Sequence, residues 1–439
     1  PIPAAAEGPG FRPDRIPAPN FAAPVDYLQW LRIQTSERLA DNAYDIYTQF
    51  LPGPDNLTAT EDWPKLVGLF QDDSYQGPIG PWRPDDHPDW ETSHHAAAPL
   101  MQRLRDATRI RDYAIDPRTA GGDEAGGANR LLISILLPHL SPHRQLTRQL
   151  MSDAWRSEDG RVAPDTMRGA WETALRASDH MDQGSTLIER LVGHAERELV
   201  RDNARRALAQ GVFQDDVALE TALASLEAED RPARGLTDTL HGEYASVMDL
   251  TQYIFSPASA DGQPQYNAAR AEEVAEVGLG REHLEAMSRM TPQQVRATGE
   301  QFARAYDELD GMLATGYPQV RRADIDAWHE RYRGASPMTE TLLPGLSRVA
   351  QIRARAEASR RATQLAYGAG LFKAREGRWP ASLAELRDLV GADVAVDPMS
   401  GGAFGYRLDS DGPRIWSAGE NAVDDGGDHA PRWGEGEGE

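Results

Sequence analysis

The strongest constraint on this chain is a succession of apolar stripes of helical period. Leu146, Leu150, Ala154 and Trp155 mark one helix, and Met167, Trp171, Ala174 and Leu175 mark the next. Side chains three and four apart share a helix face, so each stripe has to be buried against another element. With Asp159 and Gly160 between them, the two segments read as an antiparallel helical hairpin. Leu187, Leu191, Val192, Ala195 and Leu199 predict a third helix, Leu219, Ala222, Leu223 and Leu226 a fourth, and Leu236 through Tyr244 and Met248 to Phe255 a fifth. A sixth begins at a capping box of Thr291 and Gln294 with Pro292 at its first position, and ends at Gly316 to Pro318. A last long helix runs from about Leu346 to Glu376 and is stopped by Gly377. The expected class is mainly α, with α-solenoid-like helical hairpins over 131–345, although no strict repeat of about 34 residues is present.

The flanks read differently. Residues 1–24 hold seven prolines and few apolar side chains, which predicts an extended linker. An N-terminal helical region follows over 25–130, with one helix from Tyr27 to Phe50, ended by Pro52 and Pro54, and another from His95 to Ile110. Between them lies an irregular loop at 71–93, rich in glycine and proline, and 256–290 reads as a mixed connector. The segment 346–430 joins the long helix to a small α+β module. Ser382 and Glu385 suggest a capping box, Asp397-Pro398 a turn, and 404–408 and 414–417 a pair of strands. The tail, 431–439, is acidic and glycine-rich and predicts disorder.

Charge narrows the chemistry. The 439 residues carry 69 Asp and Glu against 46 Lys and Arg, a formal net charge of −23, and Lys65 and Lys373 are the only lysines. Nucleic acid and anionic membrane surfaces both call for a basic stripe, so neither is an expected partner. With no cysteine, disulfides, thiolate metal sites and thiol catalysis are excluded together. No apolar run approaches the roughly 20 residues of a membrane helix, and the longest candidate, Leu131 to Leu137, meets Pro138. Because the chain opens at Pro1, an upstream signal peptide, membrane anchor or tag is expected to have been removed.

Most catalytic motifs fail on inspection. Neither lysine follows a glycine, so there is no Walker loop. Trp328-His329-Glu330 begins like a zinc-protease helix, but Arg333 stands where the second histidine is required. Asp409, Asp411 and Glu420 occupy positions 1, 3 and 12 of a would-be EF-hand whose sixth residue is Arg414 instead of glycine. His87, His94 and His95 lack a metal-ligand spacing, and Ser185 and Thr186 read as a helix N-cap before Leu187. Trp155 and Trp171 fall on core faces. One constellation survives: Asn421, Asp424, Asp425 and Asp428 in a glycine-rich loop directly after a strand. Hard oxygen ligands on a pliable backbone suit Ca²⁺, and the same residues also suit a solvated acidic turn.

A set of short elements in fixed order carries a family resemblance. Tyr367 to Lys373, Gly377-Arg378-Trp379-Pro380, Asp397-Pro398, Gly405-Tyr406-Arg407 and Ile415-Trp416-Ser417-Ala418-Gly419, followed by Asp424-Asp425-Gly426-Gly427, resemble the C-terminal part of the major pseudopilin of type II secretion. The likeness covers about 360–428, under a fifth of the chain. Upstream, Ser185 to Val192 and the block from Leu140-Ser141 to Leu150 look like the helical region of uncharacterised planctomycete-type envelope proteins that carry this same ending. The resemblance implies calcium ligands at the Ala418 carbonyl, Asn421, Asp424 or Asp425, and Asp428. Asn421 stands where the family usually has aspartate, which lowers the charge of the site and implies binding at millimolar Ca²⁺. It also implies a periplasmic or envelope location and membrane attachment only through an anchor upstream of Pro1. A true pseudopilin has its hydrophobic assembly helix just before this module; here about 300 residues of helical chain take its place.

The expected function is therefore a non-enzymatic envelope scaffold or protein-binding protein with a Ca²⁺-stabilised C-terminal module and other envelope proteins as partners. The rivals are an envelope hydrolase using paired carboxylates and a subunit of a surface filament or array.

Overall fold

In the computed structural model, placement is described for residues 11–36, 41–51, 80–115, 127–135, 137–276, 279–316, 318–343, 346, 348–410 and 412–427. Helices dominate, with one small antiparallel hairpin near the C-terminus. The middle stripes form the helices their spacing demands: α4 (Leu140–Ala154), α5 (Pro164–Met181), α6 (Leu187–Ala209) and α7 (Asp216–Glu229). Their starts are written locally. Pro164 opens α5, Asp215 caps α7 through the Ala218 amide at 2.7 Å, and Thr186 caps α6 in a reciprocal box with Glu189. α4 packs on α5 and α5 on α6, while α7 packs on α5 and on the later helix Val349–Glu376, with Trp155 and Trp171 fully buried.

The remaining helices are α1 (Tyr27–Ser36), the short α2 (Tyr44–Tyr47), α3 (Pro88–Ala107), α8 (Thr237–Ile254), α9 (Ala268–Glu276), α10 (Arg281–Ser288), α11 (Pro292–Thr315), α12 (Arg322–Arg333), α13 (Pro337–Leu342), α14 (Val349–Glu376) and α15 (Arg387–Val390). They gather into two cores. The first joins α3 to α7 with most of α14 and the C-terminal module; the second joins α8 to α13 with the N-terminal stretch. The chain passes between the cores repeatedly. Residues 11–31 and 128–132 serve the second core, while 43–51, 82–113 and 146–226 serve the first. Packing is not confined to sequence neighbours: α4 also reaches α6, α5 reaches α7, and α14 returns to lie on α6 and α7.

Several expectations need correction. The stretch read as a linker is tied down over its described part, with Phe11, Ile16 and Phe21 buried in the second core and the Phe11 amide donating to Asp310 at 2.9 Å. Few apolar residues suffice there because each fills a prepared site; Phe11 lies against the rings of His241, Tyr244 and Tyr306. The single helix expected from Tyr27 to Phe50 is instead α1 and α2, separated by a non-helical break. Residues 88–93 of the irregular loop are the first turns of α3, which starts at Pro88, while 71–79 lie outside the described residues. Proline is at home in the first helical turn, where its missing N–H leaves no bond unmade. The connector at 256–290 contains α9 and α10, whose buried faces are short: Ala271 with Val274, and Leu284 with Met287.

At the C-terminus, Gly377 ends α14 in the left-handed conformation, φ 72°. The Ser382 capping box does not form; Glu385 turns back to the Ala381 amide (2.9 Å) and Arg378 instead. Two strands then pair antiparallel, β1 (Gly405–Asp409) and β2 (Gly412–Trp416), in the register Gly405↔Trp416 to Asp409↔Gly412. Leu383, Leu386, Val390, Met399 and Phe404 pack into the first core, so the module shares its interior with the helical body.

Candidate functional site

The loop leaving β2 is fastened on both sides of its first turn. Asp397, fully buried, receives four hydrogen bonds: Met399 N–H and Ser417 Oγ–H at 2.9 Å on Oδ1, Ser400 Oγ–H at 2.8 Å and Ala418 N–H at 3.0 Å on Oδ2. A carboxylate in that setting is satisfied without a cation, and it binds the exit of β2 to the Asp-Pro turn. Three residues later the Glu420 carboxylate, 3% exposed, meets Arg355 at 2.6 Å and Arg322 at 3.4 Å and accepts from Gln351. Those partners belong to α14 and α12, so Glu420 ties the loop to the helical body.

Beyond Glu420 the loop is a chain of tight turns. Asn421 Oδ1 accepts from the Val423 amide, Asp424 Oδ1 from the Gly426 amide and the Trp416 indole, and Asp425 Oδ1 from the Gly427 amide, at 2.8–3.1 Å. The Trp416 indole and the Gly426 amide hold the Asp424 carboxyl below the usual aspartate range. Gly419, Gly426 and Gly427 take positive φ, as does Ala422 at 53°, the one non-glycine residue to do so among the described residues. Of the expected metal ligands, Ala418, Asn421, Asp424 and Asp425 thus lie on one ordered loop, and Asp428 lies outside the described residues. No group of three or more His, Asp or Glu side chains is gathered for a metal ion among the described residues. A calcium loop also draws on carbonyl and amide oxygens, such as those of Ala418 and Asn421.

The other candidates separate. His87 stacks on Trp90 at 3.9 Å, His94 pairs with Asp153 at 3.0 Å, and His95 with Glu91 at 2.9 Å, so the three histidines face three different partners. Asp409 is held by Arg407 and Arg414; Asp411 lies outside the described residues. Thr186 is the cap described above. Trp328 is core, its indole donating to the Ala305 carbonyl at 3.0 Å.

The sequence reading missed a polar seam inside α4 to α6. His143 Nδ1 lies 2.8 Å from Glu196 Oε1, and His139 Nε2 lies 3.4 Å from Glu189 Oε1, all four residues buried. The His180 ring bridges the Ile110 carbonyl at 2.8 Å and the Tyr47 hydroxyl at 3.0 Å. A carbonyl can only accept, so Nε2 carries the hydrogen and Nδ1 accepts from Tyr47. Burial pulls the imidazoles of His180 and His194 down to about 4 each, which keeps both neutral. Arg197 spans Asp179 and Asp182, and Arg201 grips Asp230. A signal for the seam exists: Glu189, Glu196 and Asn203 recur every seven residues, on the buried side of α6, and Asn203 accepts from the Trp171 indole at 3.0 Å. Apolar periodicity cannot register it, because the repeating residues are polar.

No family model, curated protein or solved structure matches this chain.

Proposed function

We propose that this chain is a non-enzymatic scaffold or protein-binding protein of the bacterial cell envelope, of the planctomycete type, with a pseudopilin-like C-terminal module stabilised by Ca²⁺. The helical body, which this reading takes as solenoid-like over 131–345, offers its outer faces to other envelope proteins. The Ala418 carbonyl, Asn421, Asp424, Asp425 and Asp428 hold the ion. The observation that carries this reading is the double fastening of the loop by Asp397 and Glu420, which orders Ala418 to Asp425 and leaves Asp424 and Asp425 in exposed tight turns. An ion there would join turns that are otherwise held by one amide bond each and, at Asp424, the Trp416 indole, so its contribution would appear as stability.

Thermal unfolding of the intact chain in EDTA and in millimolar Ca²⁺ tests the ion. The midpoint is expected to rise by several degrees with Ca²⁺, and Asp424→Ala or Asp428→Ala to abolish the rise. An unchanged wild-type midpoint removes calcium from the reading. Turnover of a glycan, peptide or phosphoester by the purified chain would replace the scaffold with an enzyme.

A further inference from the structure

A half-open groove of about 500 Å³ runs along α3, α4 and α5. Between its ends it is lined by Leu150, Ala154, Gly169 and Ala170 together with Thr108, Thr166 and Thr173. A Cβ added at Gly169 would meet nothing within 4 Å, so the groove there is open space and not a packed seam.

The two ends of the groove differ in charge. α3 and α5 run the same way: the end of α4, which leads into the start of α5, brings Asp153 to His94 near the start of α3 at 3.0 Å, and the far ends meet where His180 of α5 bonds the Ile110 carbonyl just past α3. One end of the groove therefore collects Asp153, which accepts from His94 and Gln149 on Oδ1 and among the described residues keeps Oδ2 unengaged, and Asp165, which pairs with Arg168 at an exposed 3.2 Å contact; the other collects Arg105, Arg109 and Arg176. Among the described residues the Arg105 guanidinium has no ion-pair partner, and Arg176, although paired with Glu229 at 2.6 Å, leaves its buried Nε without an acceptor. Among the described residues Arg109 is engaged only by its neighbour Asp106, at a solvent-exposed pair that adds little. Three guanidiniums at one site stand out on a chain of net charge −23, whose long-range field favours cations.

His94 to Arg105 and Asp165 to Arg176 are each eleven residues of helix, so the acidic and basic ends stand roughly 16 Å apart at 1.5 Å per residue. An extended chain rises about 3.3 Å per residue, and about five residues cover that span.

We propose that this groove binds a short peptide of about five residues with small side chains, its free C-terminal carboxylate on Arg105 and Arg176 and its amino terminus at Asp153 and Asp165. The narrow lining of glycine, alanine and threonine around Leu150 takes small side chains, and the fork of a guanidinium suits a carboxylate in two-point contact. Nothing in this assignment depends on the C-terminal loop, so the calcium reading and the peptide reading fail separately.

Calorimetric titration of the full chain with pentaalanine, its C-terminal amide, its N-acetyl form and glutarate tests the assignment. Pentaalanine is expected to bind in the range of about 10 μM to 1 mM, with amidation weakening it at least about tenfold and acetylation several-fold. Arg105→Ala, at an exposed position, should reproduce the effect of amidation, and Asp165→Asn that of acetylation. Four results overturn the proposal: no saturable heat, equal affinity for the amide, equal affinity for the acetylated form, or glutarate binding as tightly as pentaalanine, which would mark a plain anion site.

Discussion

Arg201 and Asp230 form a two-pronged ion pair, Nε to Oδ2 and Nη2 to Oδ1 at 2.8 Å each, with both side chains sealed from solvent. The remaining nitrogen, Nη1, donates to the Ala356 carbonyl of α14 at 2.9 Å. One arginine on α6 thus joins the end of α7 to the returning helix, close to where α14 passes from one core to the other. Removing one partner of such a pair leaves the other charge buried and unmatched, which typically costs about 3–5 kcal/mol. Asp230→Ala is expected to destabilise the chain by that order in urea unfolding at neutral pH. A loss below about 1 kcal/mol would mean that water reaches Arg201 and that the pair is not sealed.

Glu420 makes the corresponding link for the C-terminal module. Its partners Arg322 and Arg355 are themselves partly exposed, so Glu420→Gln leaves them able to reach water, and the expected cost is about 1–3 kcal/mol. The effect should be local. Hydrogen exchange of the amides over 417–427 is expected to accelerate, while α4 to α7 keep their protection. Uniform acceleration across the chain would show that Glu420 supports the whole fold and is not a tether.

The contrast between these two carboxylates shows what the sequence could reveal. Helices α4 to α7, α8, α11 and α14 were legible because each carries an apolar stripe and a written start or stop, such as Thr186 with Glu189, Thr291 with Gln294, or Gly377. Helices α9, α10 and α13 bury only two residues each, too few to raise a period above background. Asp230 and Glu420 were invisible for a different reason. Acidic residues are so common here that one more gives no signal, and their partners lie 29 and 65 or more positions away. The hairpin was readable from turn chemistry; the fastening of the loop after it by Asp397 and Glu420 was not, because it depends on which helix returns to it.

Gly405 tests the packing of the hairpin. A Cβ placed there would fall 2.0 Å from Trp416 Cε2, within the indole that pairs across the register. Trp416 is also held by Asp424 at 2.8 Å and packs on Gly427, so it cannot swing aside without disturbing the loop. Gly405→Ala is expected to cost about 1–3 kcal/mol and to alter near-ultraviolet dichroism through Trp416. In the calcium reading it should also weaken the ion's effect on the unfolding midpoint. Wild-type dichroism and stability would show that the indole has room the hairpin does not display.

The pH dependence of stability has two limbs of opposite sign. Asp249 on α8 is buried, accepts from the Leu132 amide at 2.8 Å and faces Asp26 and Arg130; burial pushes its carboxyl up to about 7. Its folded pKa lies above the unfolded one, so its contribution is complete below about pH 4 and is lost as pH rises through 7, by an order of 3–4 kcal/mol. His180 works the other way. Burial lowers it to about 4, so its contribution is complete above about pH 6.5 and is lost as pH falls through 4, by an order of 3 kcal/mol. Acid also protonates Nδ1, the atom that accepts from Tyr47, and so breaks that bond. Asp249→Asn keeps an acceptor for Leu132 and removes the titration, so it should gain on the wild type steadily from pH 4 to 8 in urea unfolding. His180→Gln should weaken the acid limb without touching the other, leaving the part that His194, also lowered to about 4, supplies. A constant difference between Asp249→Asn and wild type over that range would mean that Asp249 stays ionised in its site, and the alkaline limb would then belong to another group.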